Sequence, residues 1–318
     1  MRLSHKSATL LVLAALIALT PIFFPSSFYY RVGSLIFING LAVTGMVILI
    51  GYAGQISLGH AGFAGIGAYS CALMPVHWGI PVLLAAVLGA LISAALAFLV
   101  GRPILRLKGY YLAVATLGFG ILVYMVLMNE AWLTGGPDGT AVPDSGLRDA
   151  AKAIGINLKN SEFWYWFCGV VLMVGAWLAL NLYDSPTGRA LRALHGSEVA
   201  ARTVGVDVAK YKLQAFVISA VYASVAGSLV ALQNQFVTPD IAGYMHSIEW
   251  VTMTVLGGAG SVLGAIFGAG ILTLLPQVLT MFAEYEQLLL GLIMMLVMIF
   301  MRDGLLPSIM RLIRGKDE

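Results

Sequence analysis

At 318 residues the chain is long enough for two or three soluble domains, yet 60% of it is hydrophobic and only 10% is charged. Soluble domains carry about 25% charge, so a soluble fold is excluded, as are a disordered chain and, with only two cysteines, a disulfide scaffold. The net charge of +3 points to no nucleic-acid partner, and apolar runs of about twenty residues suit lipid-spanning helices, not the shorter alternating strands of a barrel.

In chain order, the first apolar run covers 8–24 and follows Arg2 and Lys6. Bulky residues from Ile22 to Tyr30 stand where a small-residue cleavage site would lie, so it is expected as an uncleaved first helix. Further long spans are predicted at 32–50, 60–76, 81–101, 110–131, 163–183, 211–232, 262–282 and 286–301. A shorter segment at 247–256 reads as a short span or a re-entrant half-helix. The expected fold is therefore an all-α polytopic membrane protein of about ten helices, with one transmembrane domain over 1–318.

Charge placement sets an expected orientation. With both termini cytoplasmic and ten crossings, fourteen of the eighteen basic residues fall inside, among them Arg102, Arg106, Lys108, Arg189, Arg192 and Arg202. Outside lie Arg31, Arg148, Lys152, Lys159 and nine of the fifteen acids, including Asp240 and Glu249. Glu130 and Glu249 sit near helix ends, where headgroups can reach them; a gate or path-lining role is the other reading. Two connections are long: an extracytoplasmic loop at 132–162 and a cytoplasmic loop at 184–210. Cys71 and Cys168 read as small buried residues, not a disulfide.

Three stretches invite function. Gly51 to Tyr69 is glycine-rich and carries Gly54, Gln55, Ser57, Gly59 and His60 at membrane depth or its edge. A tight helix crossing and a broken helix lining the translocation path both fit. In the second stretch, Gly257, Gly258 and Gly260 are candidate hinge residues, and Gly260, Gly264 and Gly268 repeat every four residues as a packing seam. The third is a short helix at Ser197–Val204, with Ser197 as N-cap and Glu198 in the first turn. It mixes Val199, Ala200, Ala201 and Val206 with charge, which suits a partner's groove. Anionic lipid is the plainer reading of its basic residues.

Catalysis finds little support. No Walker A loop and no HExxH occurs, so no metal, nucleotide or other cofactor is expected on this chain. Ser57 and His60, three apart, could share a helix face, but no orienting carboxylate accompanies them.

Taken in order, these motifs resemble the permease subunits of branched-chain amino acid ABC importers, the LivH/LivM family, and the LivM side more than LivH. Gly51-Tyr-Ala-Gly-Gln-Ile-Ser-Leu-Gly-His-Ala-Gly-Phe, Leu133-Thr-Gly-Gly-Pro-Asp-Gly139, Ser185-Pro-Thr-Gly-Arg-Ala-Leu-Arg-Ala and Val255-Leu-Gly-Gly-Ala-Gly-Ser-Val-Leu-Gly carry the likeness. It implies a bacterial inner-membrane heteromer: a second LivH-like permease chain, two ABC ATPases that bind ATP and magnesium, and an extracytoplasmic solute-binding protein. It also implies that Ser197, Glu198, Val199, Ala200, Ala201, Arg202, Gly205 and Val206 couple to the ATPase. The pattern departs from the common Glu-Ala-Ala form, since Val199 intervenes and Gly205 comes seven residues after Glu198. The same family serves urea, amides and small aromatic acids. A stand-alone secondary transporter or channel is the rival from another class; it would need a coupling-ion site, which the sequence does not display.

Overall fold

The computed structural model describes residues 5–153, 155, 157–278, 291 and 295. Apart from Gly291 and Met295, the expected span at 286–301 lies outside the described residues, as do the basic residues from Arg302 onward. The order is α1 (His5–Leu19), α2 (Ser27–Met46, extended by a π-helical stretch Val47–Tyr52), α3 (His60–Trp78), α4 (Val82–Ile104) and α5 (Tyr110–Asn129). Short pieces follow: α6 (Ala131–Thr134), β1 (Thr140–Ala141) and α7 (Leu147–Ala153). Next come α8 (Asn160–Asp184), α9 (Pro186–Gly196), α10 (Glu198–Thr203) and α11 (Val208–Asn234). β2 (Phe236–Val237), α12 (Tyr244–Gly257) and α13 (Val262–Val278) complete the described chain.

Among the described residues, five helical stretches are long and apolar enough to cross a bilayer: Ser27–Tyr52, α4, α5, α8 and α11. Their burial sorts them. Of the most apolar window, 83% is buried in Ser27–Tyr52 and 67% in α11, against 28% in α4 and in α5. α2, α3 and α11 thus form the centre. α4 and α5 are rim helices whose outer faces, such as Leu91, Leu99 and Leu122, are left for lipid. α8 packs on α2, α1 packs on α8, and the α12–α13 hairpin closes the other flank of α2. The Tyr165 hydroxyl donates to the Ile17 carbonyl (2.8 Å) and bonds Thr20 (2.6 Å), which ties the end of α1 to α8.

The centre is close-packed through residues without side-chain bulk. A Cβ on Gly67 of α3 would stand 2.0 Å from the Ser224 carbonyl oxygen of α11, and one on Gly227 of α11 would stand 2.0 Å from the Ala64 carbonyl oxygen. Between apolar helices in lipid, van der Waals contact supplies the attraction, so backbones must approach this closely.

The bundle has two chemically distinct ends. At one, Lys6 pairs with Asp184 (2.9 Å), α4 ends beside the start of α11, and α9 and α10 sit below. Every described basic residue expected inside lies at this end. The other end carries α6, α7 and the antiparallel pair Thr140↔Val237 and Ala141↔Phe236, a small β element that the all-α expectation omits.

α12 has 14 residues, about 21 Å, short of the roughly 30 Å hydrocarbon core. The chain before it, residues 236–243, dips between helices. A Cβ on Gly65 of α3 would meet Ala242 at 2.6 Å, and the Ser247 hydroxyl accepts from the Ala61 amide (2.8 Å). That stretch holds β2 and one 3-10 turn, Pro239–Ala242, before α12 begins.

Replacing Gly67 with Ala should lower thermal stability in detergent by about 1–3 kcal/mol, the usual cost of overpacking. Gly260→Ala, where the space is open, should melt like the parent. Melting curves followed by fluorescence size-exclusion chromatography check both.

Candidate functional site

The stretch from Ala53 to Gly59 is not helical: α2 stops, and α3 starts afresh at His60. This break lies where the bundle meets α9: Gln55, Ser57 and Gly59 are buried, while Gly54 and Ile56 are exposed. A Cβ on Gly59 would stand 2.0 Å from the Thr116 carbonyl oxygen of α5, and the Leu58 amide donates to the Thr116 hydroxyl (3.1 Å). Gly51, just before the break, faces the Ala259 carbonyl oxygen of the α12–α13 turn, which a Cβ would meet at 1.8 Å. Gly54 takes φ +65° and lies against His195 of α9. The helix is thus broken at 53–59, and its glycines are also close-contact points.

Ser57 precedes α3 instead of sharing its face with His60. Their side chains still meet: Ser57 Oγ lies 2.8 Å from His60 Nδ1, and His60 Nε2 lies 2.7 Å from Ser219 Oγ of α11. All three are buried. A hydrolase would place a carboxylate on the second ring nitrogen; here a hydroxyl takes it, so the ring is a hydrogen-bonded strut between α3 and α11. Gln55 is also buried, and neither polar atom of its amide has a hydrogen-bond partner among the described residues.

The expected glycine seam needs correcting. Gly264 and Gly268 of α13 do face α12 closely, against the carbonyl oxygens of Gly257 (2.4 Å) and Met253 (2.1 Å) from an added Cβ. Gly260 has nothing within 4 Å and belongs to the turn, as does Gly258 with φ +109°. A repeat of four marks one face only while the chain stays helical, and α13 begins at Val262. Gly257, the last residue of α12, supplies the partner surface.

At the basic end, α9 is set by Ser185, whose side chain accepts from the Gly188 amide (3.1 Å), and by Pro186 at its first position. Leu191 and Leu194 are buried. α10 follows at once. Ser197 caps it by accepting from the Ala200 amide (3.2 Å). Gly205, at φ +84°, and Val206 close it: their amides donate to the carbonyls of Arg202 (3.0 Å) and Ala201 (3.0 Å), the Schellman arrangement that favours glycine.

Only Ala201 of this helix is fully buried. Val199 is 74% exposed and Val204 76%, while Ala200 and Arg202 are also exposed. Glu198 points the other way and pairs with Lys212 of α11, whose side chain is only 8% exposed. Sequence reasoning placed Glu198 among the coupling residues. The structure pairs it with Lys212 of α11 and leaves its side chain 30% exposed; Lys212 is a residue that reasoning missed. The fourteen-residue gap between them offers no local spacing rule to reveal the pair.

The class of protein is thus a helical membrane protein with a discontinuous central helix and a small helix held out at its basic end. A family model described as branched-chain amino acid transport system / permease component matches residues 29–298, and the chain belongs to that family. The high-affinity branched-chain amino acid transport system permease protein LivM of Salmonella typhimurium is 35% identical over 281 residues, 83% of this chain and 66% of the relative. Its Escherichia coli counterpart is 34% identical with the same coverage. The chain thus spans just under two thirds of the length of these two relatives. The ribose import permease protein RbsC of Escherichia coli is 27% identical over 88% of this chain and 87% of the relative. No solved structure matches.

Glu198→Ala strands the Lys212 ammonium and should cost about 1–3 kcal/mol of melting stability. Adding Lys212→Met should recover most of that loss. A double-mutant cycle on the purified chain measures the coupling.

Proposed function

We propose that this chain is a permease subunit of a binding-protein-dependent ABC importer for branched-chain amino acids. It has no catalytic role of its own. In this reading a LivH-like permease chain joins it in a bacterial inner membrane. Two partner ATPases dock at the basic end and hydrolyse ATP there. A solute-binding protein meets the end that carries β1 and β2. Both termini then face the cytoplasm, as the charge bias requires.

The observation that carries the reading is α10. It presents Val199 and Val204 to solvent at the end where positive charge gathers, while Glu198 anchors it to α11. A small helix with exposed apolar residues and a rigid attachment suits a partner's groove better than water. α11 then carries the push inward. Lys212 lies at its base and Ser219, two turns on, holds His60 at the head of α3. Alternating access would arise as partner closure tilts α11 and moves the break at 53–59, a segment with few helical bonds to resist it. Family membership and the two LivM relatives support the amino acid as solute, while RbsC shows that similar permeases serve sugars.

The complex reconstituted in vesicles should take up leucine only with its binding protein and ATP. Val199→Asp with Val204→Asp should reduce uptake at least tenfold while leaving the chain in the membrane, because burying two carboxylates in an apolar groove is costly. Leucine uptake by the purified chain alone, without ATP, would instead mark a stand-alone transporter.

A further inference from the structure

α10 is joined to α9 by Ser197 alone, so what moves α10 also moves α9. The buried side chains of Leu191 and Leu194 seat α9 on the bundle. It meets the start of the break at two places. At the first, the Arg192 guanidinium stands 3.9 Å from the centre of the Tyr183 ring, in the last turn of α8. That ring lies 5.1 Å from the ring of Tyr52, tilted by 59°. Tyr52 ends the π-helical stretch and is buried. A guanidinium is drawn to the negative face of a tyrosine, and aromatic rings at this spacing attract one another. At the second place, Gly54 is in the left-handed region. A Cβ added there would lie 3.3 Å from His195 Nδ1 and 3.5 Å from His195 Cα. The backbone of the break therefore rests directly on α9.

The next residue is not at ease in this arrangement. Gln55 is 2% exposed, and both polar atoms of its amide lack a hydrogen-bond partner among the described residues. A buried amide left unmet is costly, and such a group in a folded chain calls for a reason.

We propose that α9 is a lever for alternating access, with Tyr52, Tyr183, Arg192 and His195 as its positioning residues. It delivers the motion of α10 straight to the break, through the Arg192–Tyr183–Tyr52 stack and the seat of Gly54 on His195. α11 carries one path inward, and α9 carries a second, shorter one. When α9 withdraws, the break is free to shift, and the unmet amide of Gln55 favours the shift. The inference rests on the importer reading above, since it needs a partner that moves α10.

The experiment uses the complex reconstituted in vesicles with its binding protein. Gly54→Cys with His195→Cys places two thiols within disulfide reach. Both positions are exposed, whereas Cys71 and Cys168 are buried. Before ATP is added the pair should oxidise to an intrachain disulfide, and leucine uptake should then fall about tenfold or more. Dithiothreitol should return uptake to the level of the unoxidised variant, so the same molecules serve as their own folding control. Two further variants act on the stack. Tyr183→Phe keeps the ring and should keep the ratio of leucine taken up to ATP hydrolysed. Tyr183→Leu removes the ring and should lower that ratio about threefold or more. A merely structural defect would lower uptake and hydrolysis together and leave the ratio alone. Thiols that do not cross-link before ATP is added overturn the inference. So does a cross-linked complex that imports as fast as the reduced one, and so do equal ratios in Tyr183→Phe and Tyr183→Leu. If the unmodified complex imports leucine with ATP while these results are negative, only the role of α9 fails. If the unmodified complex imports none, the importer reading fails and the lever with it.

Discussion

The approach of α3 to α11 is the constraint on which the rest of the bundle depends. Two backbone contacts, Gly67 against Ser224 and Gly227 against Ala64, let these helices lie closer than any side chain would permit. At the foot of the contact, Ser57, His60 and Ser219 supply the polar pin. In lipid there is no hydrophobic gain between helices, so close packing and a few satisfied polar groups must hold the centre. Once α3 is seated, its blunt N-terminus leaves the preceding residues no helical path, and the break at 53–59 follows. An amide of the first turn of α3 is met from across the bundle, where the Ser247 hydroxyl of α12 accepts from Ala61.

The same helix, α11, joins features that are remote in sequence. Its first turns hold Lys212, which anchors α10 through Glu198. Its middle grips α3, and its last turn borders a pocket beside Asp240 through Val230 and Asn234. A straight 27-residue helix is about 40 Å long, so a tilt at one end becomes a displacement at the other. The short α12 works against this rigid member. The chain before it packs into the bundle at Ala242, against Gly65 of α3, while Asp240 stays exposed. Non-helical backbone at such depth is tolerated where it is buried in protein or faces water.

Sequence alone established the class of the molecule, because a composition of 60% hydrophobic and 10% charged residues leaves no other solution than apolar helices in lipid. Five of the predicted spans, those at 32–50, 81–101, 110–131, 163–183 and 211–232, were legible for the same reason: an uninterrupted apolar run has one low-energy state there. Ser197 as a helix cap was also legible, since capping is local chemistry, and so was the family, through motifs in fixed order. Tertiary structure decided the rest. The repeat Gly260, Gly264, Gly268 is identical in kind along the chain, yet only the last two meet α12, because the turn runs through Ser261 before the helix begins. Ser57 and His60 suggested one helix face and instead bracket a helix start. The partners of His60 and Glu198 lie 159 and 14 residues away. No periodicity encodes such pairings; only the packing of α11 against its neighbours brings them together. The pocket beside Asp240 is likewise invisible in sequence, since its lining comes from α2, α11, the stretch after β2 and α12, which only the packing brings together.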